Sequence, residues 1–352
     1  MKILYFSRGY TPHDYRFLSA IVEGGHEAIF LRLLPELSSE KRPIPTGVQL
    51  ITGRFDKNLV RVKPDLVHTG PLDDCGYIAA QAGFHPLVQM SWGSDILWEA
   101  KRRKSVRRRV QIALKHADVV IGDCQAVRRT VNKYGVGLNR AITFPWGVDL
   151  IRFKPSGDAG RIRQKLGWEN NFVLIHVRSW ETLYDPLTVV RAFALAVKQN
   201  KNIRLLMLGT GSLAPKVRSA FKSAAIEKFV YFPGQVGYDD LPQYFRAANL
   251  YLSASQSDGS SVSLMEAMAS GLPVIASDIP GNREWVNSKN GWLFPSKDFH
   301  KLSQLIVKAA YSESLMRLGN YSRKVAARKA DWNKNKQGLF NAYRLASRLV
   351  DK

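Results

Sequence analysis

Short apolar runs alternate with amphipathic stretches along nearly all of the 352-residue chain, and this alternation leaves few folds open. Runs of buried-type residues fit strands at 2–6, 28–33, 65–68, 87–90 and 118–121, and again at 172–177, 203–208, 229–232, 249–252 and 273–276. Between them lie segments of helical period such as 187–199, where Leu187, Val190, Phe193, Ala194 and Val197 share one face. Apolar strands alternating with helices build parallel sheets buried on both sides, because each crossover helix lies on a sheet face. The pattern breaks once, at Pro145-Trp146-Gly147-Val148-Asp149 and the polar stretch from Lys154 to Asp158. A chain of this length exceeds what one core organises. Two doubly wound α/β domains are therefore expected, 1–150 and 151–332. Ligands of such sheets lie outside the carboxyl ends of the strands, so a cleft between the domains is the expected site.

Charge narrows the partners. Fifty-two Lys and Arg face 29 Asp and Glu, a net +23 spread over both halves, which predicts attraction to polyanions. No nucleic-acid reader module or aromatic stacking pattern accompanies it, so no specific nucleic-acid partner is expected. The densest run, 101–109, holds seven cations in nine residues. It reads either as a solvated helix face or as a surface for anionic lipid, worth about 1 kcal/mol per cation near a membrane. The start reads as a buried strand without signal-peptide features, and no uncharged run reaches the ~18–20 residues that span a bilayer. Cys75 and Cys124 are too few for a disulfide framework or a cysteine metal site. A cytoplasmic protein, peripheral on the inner face of the plasma membrane, is expected.

The chemistry concentrates in 257–275. Gly259, Ser260 and Ser261 form a small polar loop, which lets backbone N–H groups approach an anion. The helix that follows points its positive end at the same place, an arrangement suited to a diphosphate. Asp258 precedes the turn and Glu266 follows eight positions later, so the two carboxylates can meet different parts of one ligand. A serine-rich loop before a helix also reads as a plain N-cap. Arg178 follows the strand 172–177, where a guanidinium can offer paired donors to phosphate oxygens.

This segment resembles the acid–seven residues–acid motif of retaining GT-B glycosyltransferases, most closely family four. Glu266-Ala267-Met268-Ala269 matches the family's helix, and Asp258 stands where Glu is usual. Trp146-Gly147-Val148-Asp149, Phe232-Pro233-Gly234-Gln235-Val236 and the stretch Ser277 to Glu284 are similar to further family segments in order and spacing. The resemblance implies the GT-B architecture, two Rossmann-like domains facing a cleft, with the closing helix of about 333–352 packing back on the first. It implies a nucleoside-diphosphate sugar, UDP- or GDP-linked, as donor, with sugar-hydroxyl contact from Asp258 and β-phosphate contact from the backbone of Ser260, Ser261 and Val262. Glu266 would meet the ribose, Arg178 the diphosphate, and Gly234 and Val236 would border the base. Arg178 and Asp258 are the implied catalytic residues, and no metal or other cofactor is implied. Many relatives carry Lys at the position of Leu183, whereas this chain fits an Arg-x-x-Glu-x-x-Tyr subset that brings in Tyr184.

In the first half the resemblance points to acceptor or cleft residues: Arg8, Gly9 and His13 after the first strand, His68 ending the strand 65–68, and Trp92 and Asp95 in Ser91-Trp92-Gly93-Ser94-Asp95. Trp92 replaces a family His, so it is expected to pack against a ring or the core. Retaining transfer to a glycan or lipid-linked acceptor, in bacterial surface polysaccharide or lipopolysaccharide synthesis, is the functional expectation. A sugar-nucleotide epimerase or hydrolase on the same fold and a non-catalytic polyanion binder stay open. A dinucleotide-dependent oxidoreductase fits poorly, because Gly209-Thr210-Gly211 is followed by Ala214 where the third glycine belongs.

Overall fold

The computed structural model describes residues 1–158 and 160–350; positions 351–352 of the expected closing helix lie outside the described residues. The chain divides into two compact units, Met1–Trp146 with Asn333–Lys352, and Gly147–Trp332. The expected boundary at 150/151 lies four residues further along. The difference arises because Val148 already belongs to the second unit, exchanging backbone hydrogen bonds with Ala330 at 2.7 Å and Trp332 at 3.2 Å.

The first unit holds seven parallel strands: β1 (Lys2–Ser7), β2 (Glu27–Arg32), β3 (Val48–Ile51), β4 (Leu66–Gly70), β5 (Leu87–Met90), β6 (Val119–Gly122) and β7 (Ala141–Thr143), in the order β3-β2-β1-β4-β5-β6-β7. Its helix Pro12–Glu23 starts on a capping box, in which Thr11 and Asp14 satisfy each other's backbone N–H. The closing helix Gln337–Val350 belongs to this unit and buries Leu339, Ala342, Tyr343 and Ala346.

The second unit holds six parallel strands: β8 (Phe172–Val177), β9 (Ile203–Leu208), β10 (Val230–Gly234), β11 (Leu250–Ser253), β12 (Val274–Ser277) and β13 (Gly291–Phe294), in the order β10-β9-β8-β11-β12-β13. Successive strand residues point to opposite faces, and both faces are buried. Leu174, Leu205, Met207, Leu250 and Leu252 join one core; Val173, Ile175, Leu206, Leu208 and Tyr251 join the other. This two-sided burial is why the strands read as unbroken apolar runs. Among the described residues, no helix is long and apolar enough to cross a membrane.

Candidate donor and acceptor sites

In the second sheet the strand order reverses between β8 and β11, the place where doubly wound sheets open a crevice at their carboxyl edge. Arg178 is the first residue after β8, and the 254–261 loop follows β11. Arg178 Nη2 donates to Asp258 Oδ2 at 2.6 Å, and Nη1 donates to Ser261 Oγ at 2.7 Å and Ser263 Oγ at 3.4 Å. Its Cζ lies 4.0 Å from the Tyr184 ring centroid, so the aromatic face holds the guanidinium from a further side. Tyr251 OH and Ser263 Oγ share a 2.9 Å hydrogen bond beneath it. Burial disfavours the Arg178 charge, but Asp258, Tyr184, Tyr251 and Glu266 more than offset it and its pKa rises. Burial pushes the Asp258 carboxyl up, opposed by Arg178 and by the Gly259 N–H.

The helix Val262–Ala269 begins on this cluster. Ser261 is its N-cap, accepting from Leu264 N at 3.4 Å, so the plain capping role is real and coexists with the bond from Arg178. Ser260 Oγ accepts from Trp285 Nε1 at 3.1 Å, which fixes the loop beside the helix start. The first N–H groups of a helix lack intrahelical partners and carry partial positive charge, so an anion beside Arg178 would meet donors already aimed. Glu266 is buried one turn further in. Gly259 is buried, and Val262 is partly exposed.

Three glycines show why the carboxyl edge closes so tightly. A Cβ on Gly209, which adopts φ +107°, would sit 2.3 Å from Arg178 O; one on Gly211 would sit 2.6 Å from Trp180 O. The Gly-x-Gly pair therefore lets the 209–211 loop lie against the strand end that carries Arg178, with Trp180 N donating to Thr210 O at 2.9 Å. A Cβ on Gly281 would sit 2.4 Å from Gly259 O and 2.5 Å from Asp258 O, so the turn after β12 can press on the loop only as glycine. Gly234 closes β10 at φ +75° and accepts from Gly209 N at 2.8 Å; Val236, half-buried, follows it. At Leu183 the backbone carbonyl accepts from Gln256 N at 2.8 Å, tying the Tyr184 turn to the loop.

The first sheet reverses order between β1 and β4. Arg8, just past β1, pairs with Asp73 at 3.3 Å and with Asp74, both just past β4. Burial and the Asp95 charge raise the Asp73 carboxyl to about 6, against the pull of Arg8. His13 and Trp92 meet as rings, centroids 5.8 Å apart. The other positions expected to face the acceptor are structural. His68 is wholly enclosed: Nδ1 bonds the Tyr343 hydroxyl at 2.8 Å, Tyr5 and Phe17 pack edge-on, and burial lowers its pKa to about 3. It is core, lying in the middle of β4 where Tyr343 of the closing helix packs on it, rather than at the strand end the sequence reading expected. Asp95 is buried as well, accepting from the N–H groups of Leu72 (2.9 Å), Trp92 (3.2 Å) and Ile96 (2.8 Å) and from Ser91 Oγ (2.7 Å). Its carboxylate organises the loops that converge on it. Gly9 is buried against the 34–37 turn, where a Cβ would fall 2.3 Å from Leu37 O.

Sequence reading missed Asp73, Asp74, Tyr251 and Ser263 as parts of these clusters. The first two stand just past a strand whose carboxyl end was legible, and that position was the available signal. Among the described residues no three His, Cys, Asp or Glu side chains converge as a metal site would require.

Two family models match the chain: "Glycosyl transferases group 1" over residues 158–325 and "Glycosyl transferase 4-like" over residues 30–124. Among curated relatives, a D-inositol 3-phosphate glycosyltransferase of Nocardia farcinica is 30% identical over 264 residues, 69% of this chain and 58% of the relative. An alpha-monoglucosyldiacylglycerol synthase of Streptococcus pneumoniae is 26% identical over 195 residues, 53% of this chain and 44% of the relative. The chain thus spans about half the length of the curated relatives it matches. In fold it superposes on Anabaena HepE, solved with UDP and glucose, at a TM-score of 0.85, with 20% identity and coverage of 98% of this chain and 99% of that one. Motif, paired family models and fold agree, and the chain belongs to the GT-B glycosyltransferases of the family-four type.

Proposed function

We propose that the protein transfers a sugar, with retention of anomeric configuration, from a nucleoside-diphosphate donor to a glycan or lipid-linked acceptor. The observation that carries this reading is the Arg178–Asp258–Ser261 cluster at the switch point of the second sheet, aimed at a helix start with Glu266 inside the helix. Arg178 and the amides of Ser260, Ser261 and Val262 would take the diphosphate, and their positive potential would stabilise charge gathering on the leaving phosphate. Glu266 would hold the ribose, and Gly234 and Val236 would border the base. Asp258, released from Arg178 as phosphate replaces it, would accept from donor-sugar hydroxyls. The acceptor hydroxyl would approach the face that the diphosphate leaves, with a departing phosphate oxygen taking its proton. Charge stabilisation then comes from this chain's own donors, without a resident metal.

A UDP-linked donor is supported by the fold likeness to a protein solved with UDP and glucose. Arg8 with Asp73 and Asp74, together with His13 and Trp92, forms the proposed acceptor-binding edge of the first unit. The helix Lys104–His116 exposes Arg107, Arg108 and Arg109 after exposed Lys101, Arg102 and Arg103, so we assign this face to an anionic membrane surface on the cytoplasmic side. That placement suits lipid-linked acceptors of surface polysaccharide assembly.

Proton NMR of UDP-glucose incubated with the protein tests the reading. Slow donor turnover should first yield α-glucose. Initial β-glucose would contradict retention, and a new sugar nucleotide would mark an epimerase.

A further inference from the structure

A cavity of about 700 Å³ opens at the amino-terminal edge of the second sheet, away from Arg178. Four of its lining residues are cations, Lys198, Lys201, Arg204 and Lys228, and none is acidic. β9 runs its six residues from this edge toward Gly209. At about 3.3 Å per residue, the cavity lies on the order of 17–20 Å from the diphosphate edge, too far to share a ligand with it.

Three of the charges gather round one ring. Lys201 Nζ lies 5.7 Å, Lys228 Nζ 5.4 Å and Arg204 Cζ 5.1 Å from the Phe229 centroid. Arg204 is partly buried, and its Nη1 donates to the carbonyls of Lys201 at 2.8 Å and Ile203 at 3.0 Å. Burial draws its pKa down with no carboxylate to oppose it, in contrast to Arg178 and Arg8, which acids hold up. Glu227, beside Lys228 in the chain, is exposed and outside the lining.

Helix dipoles answer only part of this charge. The helices Pro186–Gln199 and Ala214–Ser223 both end at the cavity. Each carboxyl terminus is equivalent to about −0.5 elementary charge, so the two offset about one of the four cations. The three cations round Phe229 each lie within 5.7 Å of its centroid, inside the ~8 Å screening length of physiological salt, so their repulsion is only partly damped. The space, lined also by Ala224, Ala225 and Ile226, is larger than inorganic phosphate needs and within the usual range for a small organic ligand.

The geometry points to a second anion site on this edge, separate from the donor site, which takes a compact phosphate mono- or diester. A free sugar phosphate and a phospholipid headgroup present the same chemistry, and the test separates them. The full chain, with UDP at saturation, is titrated calorimetrically with glucose 6-phosphate and sedimented with phosphatidylglycerol vesicles. The same is done for Lys201→Gln/Lys228→Gln, for Arg204→Gln, and for Lys289→Gln/Lys324→Gln, which removes two cations from a different surface. Glucose 6-phosphate should bind with UDP present and weaken by about tenfold or more in Lys201→Gln/Lys228→Gln and in Arg204→Gln alone. UDP affinity should stay unchanged in both. Loss confined to the vesicle arm in those variants would assign the site to a lipid headgroup. Equal binding by wild type and variants, competition of glucose 6-phosphate with UDP, or an equal loss in Lys289→Gln/Lys324→Gln would overturn the site.

Discussion

Replacing Arg178 by Met removes the guanidinium and keeps much of its bulk beneath Tyr184. The side chains of Arg178 and Asp258 are 10% and 17% exposed, and their contact is 2.6 Å. Breaking such a pair strands a carboxylate in a dry site, which costs about 3–5 kcal/mol at pH 7. The lost bond to Ser261 and the lost ring contact act in the same direction. Removing both partners, as Arg178→Met/Asp258→Asn, leaves no stranded charge and should cost only about 1–2 kcal/mol. Asp258→Asn alone strands the guanidinium at a similar cost of about 3–5 kcal/mol, so the predicted coupling energy exceeds ~2 kcal/mol and has the sign of a rescue. As the pH is lowered from 7 the Arg178→Met variant should recover part of its loss, because burial holds the Asp258 carboxyl above its usual value and it can take up a proton. Urea unfolding followed by tryptophan fluorescence reads this, Trp180 and Trp285 being buried in the second unit. Additive costs, or a loss below ~1 kcal/mol for Arg178→Met at pH 7, would refute the view that this pair is a buried, mutually dependent unit.

Gly281→Ala should push the 258–259 backbone aside, lowering stability by about 1–3 kcal/mol and weakening UDP binding, read by melts and calorimetry. Asp73 titrates near 6 in the fold against 3.8 unfolded, so its favourable contribution is full below pH 3.8 and lost as pH rises through 6. Asp73→Asn should thus melt higher than wild type at pH 7, by about 1–2 kcal/mol after discounting for solvent and Arg8, and the gap should close by pH 4. His68 resists protonation until about pH 3 against 6.5 unfolded, so stability falls as pH drops from 6.5 toward 3. His68→Gln should flatten that acid limb of a melting-temperature profile.

The fold was legible where strands are buried on both faces. The predicted 172–177 and 203–208 match β8 and β9, and the helix 187–199 starts one residue earlier, at Pro186. The strands with no counterpart among the predicted runs, β3, β7 and β13, are all sheet edges, three or four residues long, where pairing on one side demands little apolar sequence. Arg178 and Asp258 stood out because strand ends and loop composition are local signals. His68 and Asp95 misled because the same residue types serve burial equally well, and only the covering Tyr343 or the converging N–H groups decide between them. Gly209-Thr210-Gly211 fitted a dinucleotide fingerprint poorly in the sequence, and its glycines serve close approach to Arg178 and Trp180. Asp73 and Asp74 needed the topology, since 65 residues separate Arg8 from Asp73.

Calorimetric titration of UDP and GDP into wild type, Arg178→Met and Glu266→Ala tests the central claim, a nucleoside-diphosphate site at the carboxyl edge of β8 and β11. One of the two should bind wild type, Arg178→Met should weaken it by about 10- to 100-fold through lost charge-assisted bonds, and Glu266→Ala should weaken it comparably. No binding to folded wild type, or equal affinity in all three proteins, would contradict that claim.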